Sequence, residues 1–167
     1  MSPSDSTPLL NGFTGRGKIQ RVTSLEETII RNHERIQPHM SNNYGTAHGG
    51  EIMRLMDEVG AMSAMRLAGE NCVTASVQGI AFERPIPVGD VAAVESYVYG
   101  TGRTSVRTFL QVDRVNPRTG ERETSNTSCF VFVAIKDGEP TPVPDLTVET
   151  ARDHRLQERA LETERES

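Results

Sequence analysis

The chain has no tryptophan and only three tyrosines and five phenylalanines among its 167 residues. With an apolar fraction of 35%, this fits a compact domain diluted by polar ends. No apolar run is long enough to span a bilayer, which removes helical membrane proteins from consideration. Cysteine is nearly absent: Cys72 and Cys129 both fall in apolar, strand-like surroundings. Buried, reduced thiols are expected there, not a disulfide framework, and nothing in the sequence calls for a metal or another cofactor. Basic residues, 18, are outnumbered by 23 acidic ones. The formal net charge is −5, so no general basic surface for nucleic acid is indicated. Leu9-Leu10 is not followed by an apolar segment of leader type, so no secretory signal is expected and the cytoplasm is the default compartment.

The polar material lies mostly at the ends. Residues 1–23 are rich in Ser, Pro, Gly and Thr and read as a disordered tail. Residues 145–167 are charged and read as a C-terminal tail that can form an exposed helix over 148–161. Between them, 24–144 carries the patterning of one folded domain.

Within that domain, the segment around Ile29, Ile30 and Ile36 is compatible with a strand after a helical turn. Residues 52–67 are dense in Met, Leu, Ala and Glu, and they are expected to form a mostly buried helix stopped by Gly69. Four alternating segments follow, at 73–82, 91–99, 104–115 and 122–135. PIPVGD (85–90), Gly100–Gly102 and NPRTGE (116–121) separate them. Four sequential strands read as an antiparallel meander. The fold class expected is α+β, a sheet wrapped around one long central helix.

The most informative stretch is NNYGTAHGGEIMRLMD, residues 42–57. A polar loop passes through His48, Gly49 and Gly50 into the helix. Free N–H groups at such a start can hold an acyl oxygen or a phosphate. Asp57 then sits among Met53, Leu55, Met56 and Val59, where a carboxylate is costly to bury unless it is paired or used. It can serve as general base, or be a structural acid. Helical spacing puts Met53, Asp57, Gly60 and Ala64 on one face, where Gly60 leaves room beside the acid. GTGRTS (101–105 with its leading Gly100) lacks the spacing and following helix of a phosphate-binding loop.

The segments NNYGTAHGGEIMRLMDEVGAMSAMR, VTASVQGIAFERPIPVGD, GRTS and FVFVAIKDGEPTPVP together resemble the hotdog-fold acyl-CoA thioesterases, in particular the cytosolic (brain-type) acyl-CoA hydrolases and their small bacterial relatives. The resemblance spans about residues 26–144. It implies hydrolysis of acyl-CoA to free acid and CoA, with Asp57 as base or nucleophile. The Gly49 amide, next to Gly50 and His48, would form the oxyanion hole. Asn42, or Asn43 if the loop shifts by one, would meet the acid of a partner chain. By the same resemblance Thr74, Arg103, Thr104 and Ser105 would face the CoA moiety, and Ser76 is a further hydroxyl in that strand. The partners implied are the acyl-CoA substrate and further copies of the chain, in a homodimer or a larger tetramer or hexamer. Met53, Met56 and Met62 could line an acyl tunnel, since methionine adapts to varied chains, or could equally be ordinary core. A non-catalytic acyl-CoA sensor is the alternative, and a hotdog dehydratase a third.

Overall fold

The computed structural model describes residues 21–167, so most of the tail read over 1–23 lies outside the described residues. A 3-10 turn at Glu26–Thr28 leads into strand β1, Ile30–Arg35. Helix α1, Gly49–Ala68, follows, then β2 (Asn71–Val77), β3 (Val91–Thr101), β4 (Ser105–Val115), β5 (Arg122–Lys136), a short β6 (Glu139–Pro140) and helix α2 (Ala151–Glu166). Among the described residues no helix is long and apolar enough to cross a membrane.

The sheet is antiparallel, in the order β1-β3-β4-β5-β2, with β6 added to β5. The expected four-strand meander is therefore corrected: β3, β4 and β5 form one, but β2 pairs with β5 at the far edge. The reason lies in residues 78–90. This segment is no hairpin, because its amides and carbonyls are engaged by the loop before α1: Ala47 N–H donates to Ile86 O at 2.8 Å and Val88 N–H to Gly45 O at 3.0 Å. It thus crosses from one edge of the sheet to the other, and β2 stops at Val77, not at residue 82.

Side-chain alternation divides the sheet into two faces. On one, Val94, Val98, Val106, Leu110, Val112, Phe130 and Phe132 pack against Ile52, Leu55, Met56, Val59 and Leu67 of α1. The helix buries one stripe, not most of its circumference: Arg54, Glu58 and Arg66 face solvent, and Met53 and Met62 are 41% and 40% exposed. Gly69, with φ 69°, ends α1 in the left-handed conformation that favours glycine. Gly60 does not leave room beside the acid. It lets α1 approach the sheet, since a Cβ there would lie 3.0 Å from the Phe132 ring and 3.3 Å from Leu110. Gly60→Ala is expected to destabilise the fold by about 1–3 kcal/mol through overpacking, read as a lower denaturation midpoint.

The opposite face is closed by α2. Tyr97, Tyr99, Phe109 and Cys129 pack against Leu156, Ala160 and Leu161. Tyr97 OH donates to Leu156 O at 2.8 Å, Gln157 Nε2 to Tyr99 O at 3.1 Å, and Tyr99 OH to Glu164 at 3.0 Å. The C-terminal helix is thus not simply exposed. Its start is fixed by Thr150 and by Asp153, which is 1% exposed. Burial acts to raise the Asp153 carboxyl, but backbone amides of Glu149, Thr150 and Glu26 and the Thr150 hydroxyl outweigh it and hold the group below the usual carboxylate value. Both cysteines are free thiols, and burial pushes each up to about 11. Inert thiols are the result.

Candidate active site

The loop before α1 is held by Asn42. Its Oδ1 accepts from the amides of Tyr44 (2.9 Å) and Thr46 (3.3 Å), and its Nδ2 donates to Thr46 Oγ1 at 2.9 Å. The Asn42 side chain therefore closes its own turn in this chain, with one amide hydrogen left over. Asn43 is exposed. His48 is exposed at the cap position, where its amide donates to Met40 O at 2.9 Å and its side chain makes no cap bond. The Gly49 and Gly50 amides have no acceptor among the described residues. They open the helix, where the dipole adds to their pull on an anion.

Gly49 borders a cavity of about 250 Å³ that is also lined by Asn42, Ile52, Phe82, Ile86 and Ser125, among others. Sequence reasoning missed Phe82 and Ser125. Phe82 was read as the end of a strand, yet it lies in the crossover and its ring covers Gly49: a Cβ on Gly49 would lie 3.3 Å from it. At Gly50 such an atom would meet nothing within 4 Å.

Asp57 lies elsewhere. It is half-buried on α1, and Thr74 of β2 donates its hydroxyl to Asp57 Oδ1. Thr74, expected with the CoA-facing group, is thus brought to the acid, because β2 runs at the sheet edge beside α1. Eight residues of helix separate Gly49 from Asp57, about 12 Å of axial rise. Arg103, Thr104 and Ser105 form the β3–β4 hairpin, at the sheet end near Thr74: Ser105 pairs with Val133, which in turn pairs with Val73. Amides of Val143 and Ala134 donate to the Arg103 and Thr104 carbonyls at 3.0 Å each, and Arg103 is exposed. One chain therefore carries two separate groupings, the free amides at the helix mouth and the acid with Thr74 and the GRTS hairpin further along.

No group of three or more His, Cys, Asp or Glu side chains could hold a metal ion among the described residues. A long helix held by a curled antiparallel sheet is the hotdog architecture. Residues 44–121 match the thioesterase superfamily. The chain is 35% identical over 138 residues to the uncharacterized acyl-CoA thioester hydrolase YkhA of Bacillus subtilis, covering 82% of this chain and 80% of that one. A hexameric acyl-CoA thioesterase superimposes with a TM-score of 0.77 at 32% identity, over 87% of this chain and 95% of that chain. The Staphylococcus aureus acyl-CoA hydrolase, solved with butyryl coenzyme A and coenzyme A, gives a TM-score of 0.77 at 27% identity, over 86% of this chain and 88% of that chain. The chain belongs to the thioesterase superfamily, in its acyl-CoA thioester hydrolase branch.

Proposed function

We propose that hydrolysis of fatty acyl-CoA takes place at a site shared by two copies of the chain, with Asn42, Gly49 and Gly50 from one and Asp57 and Thr74 from the other. The observation that carries this reading is the separation of about 12 Å along α1 between the free amides and the acid. A single carbonyl carbon cannot lie within reach of both. The surface that would bring copies together is present. β2 is an edge strand exposed along nearly its whole length, with Val73 52% and Val77 40% exposed, and Met53 and Met62 of α1 are uncovered as well. An unpaired apolar edge of this kind invites pairing with a second strand. Three variants of the S. aureus hydrolase replace an asparagine, an aspartate and a threonine separated by fifteen and seventeen residues. Asn42, Asp57 and Thr74 are separated by the same intervals.

In the proposed reaction the thioester oxygen accepts from the Gly49 amide, with Gly50 beside it, and the helix dipole stabilises the charge that develops there. Asp57 takes the proton of an attacking water as the new C–O bond forms, or attacks the carbonyl itself, in which case a water then cleaves the resulting acyl anhydride to the free acid and the carboxylate. The orientation of Asp57 is fixed by the Thr74 hydroxyl. Collapse of the tetrahedral species breaks the C–S bond, and the departing CoA thiolate takes up a proton. Asn42 orients the water with its spare amide hydrogen, His48 flanks the mouth, and Arg103, Thr104 and Ser105 receive the polar end of CoA. Met53 and Met62 line the acyl path. Met56 does not, being fully buried in the core.

Thiol release across a series of saturated acyl-CoAs tests the activity. Acyl-CoA binding without thiol release would replace this reading with that of a sensor. Gly49→Pro tests the oxyanion role separately, because proline is tolerated at the first position of a helix and removes the N–H that would hold the oxyanion. The Phe82 ring is 47% exposed and can give way, so the fold should be kept while kcat falls about 10-fold or more.

A further inference from the structure

One buried polar group near the helix mouth has no use in the proposed chemistry. Asn126 of β5 is 2% exposed, and neither its Oδ1 nor its Nδ2 has a partner among the described residues. An unpaired carboxamide taken out of water costs on the order of 1–3 kcal/mol, so its retention asks for an explanation. Its position supplies one. The β4–β5 register shifts between Val112 and Asp113: Val112 pairs with Asn126 and Asp113 with Thr124, leaving Ser125 as the extra residue of a β-bulge. Val112 belongs to the core beneath α1, so Asn126 faces the same side. Ser125 lines the cavity that also holds Asn42, Gly49 and Phe82, and its hydroxyl is fixed by donation to Arg84 O at 2.6 Å. Asn126 therefore follows directly on the cavity wall, with a free donor and a free acceptor.

We propose that Asn126 is a substrate-recognition residue, its carboxamide exchanging a pair of hydrogen bonds with a group close to the thioester that both gives and takes a proton bond. This deepens the reading of a thioesterase site at Gly49 and rests on it. A thioester carbonyl would satisfy only the donor. Two parts of an acyl-CoA offer both functions: an amide of the pantetheine arm, and a hydroxyl carried on the acyl chain. The consequence is specificity, because a site built to pair a polar group rejects analogues that lack it more strongly than an apolar pocket rejects a misfit.

The test uses Asn126→Leu, which removes both polar atoms, and Asn126→Val, a smaller apolar side chain that suits a strand, if the first variant folds poorly. Four substrates separate the sources: a saturated acyl-CoA, the hydroxyacyl-CoA of the same length, the acyl-N-acetylcysteamine thioester, and the same acyl group on a plain alkanethiol. If the amide is the partner, kcat/KM falls about 10- to 100-fold for the three amide-containing substrates and is unchanged for the fourth. If the hydroxyl is the partner, the wild-type chain prefers the hydroxyacyl-CoA and the variants lose that preference. An equal loss on all four substrates, no loss on any, or a lowered melting temperature without substrate dependence overturns the proposal. Calorimetric binding of a thioether analogue of each CoA substrate on an Asp57→Asn background separates the two ideas. A weakened analogue in Asn126→Leu supports recognition even if Asp57 proves dispensable for turnover, and unchanged affinity for every analogue overturns it even if Asp57 proves essential.

Discussion

Replacing Asp57 with asparagine is expected to lower thiol release from fatty acyl-CoA by about 10²–10⁴-fold, with the oligomer and melting temperature kept. Asparagine has the same shape and still accepts the Thr74 hydroxyl, so the helix and β2 stay in register. What is lost is the ability to take a proton from water or to form an acyl bond. Asp57 is only half-buried and no arginine pairs with it among the described residues, so the change removes no ion pair on which the fold depends. Steady-state kinetics beside size-exclusion chromatography and thermal melting reads the outcome. Turnover at the wild-type rate in a well-folded variant would remove Asp57 from the chemistry.

The second large effect concerns the sharing of the site. Asn42→Ala and Asp57→Asn should each be nearly inactive as pure proteins. Unfolded together in equal amounts and refolded, they should recover about a quarter of wild-type activity. Half of the pairs would then be mixed, and a symmetric interface gives each mixed pair one site carrying both intact residues and one carrying neither. A site contained within one chain would recover nothing beyond the sum of the parents. The Asn42 variant carries a structural cost, since its side chain closes the loop through Tyr44 and Thr46. Asn42→Asp, which keeps the acceptor and loses the donor, serves as the second form of the same measurement.

The fold and the candidate site differ in how far they can be read from sequence. α1 was legible because its composition, its stripe of Ile52, Leu55, Met56, Val59 and Leu67 and its stop at Gly69 are local properties of the chain. β3, β4 and β5 were legible for the same reason, from alternation and short turns. β2 looked like their neighbour because it precedes them in sequence. Its true place beside β5 depends on where the crossover 78–90 is tied, and that is decided by the amides and carbonyls of Gly45, Ala47, Ile86 and Val88. α2 was read as an exposed helix because its sequence is highly charged. Its buried stripe is thin, Leu156, Ala160 and Leu161, and becomes visible only against Tyr97, Tyr99 and Phe109 on the sheet.

The stretch from Asn42 to Asp57 shows the same division. The sequence by itself determined that a glycine-bearing loop opens a helix and that an acid follows along it, because helix starts and helical periodicity are set by residues within a few positions of one another. It also determined the apolar alternation from which the sheet is built. Only the tertiary structure decided that the acid meets Thr74, that Phe82 covers Gly49 and that Asn126 is buried next to the cavity-lining Ser125 with both amide atoms unpaired. These contacts join elements far apart in the chain, and the crossover, the bulge and the strand order that produce them follow from backbone hydrogen bonds that no side-chain pattern records.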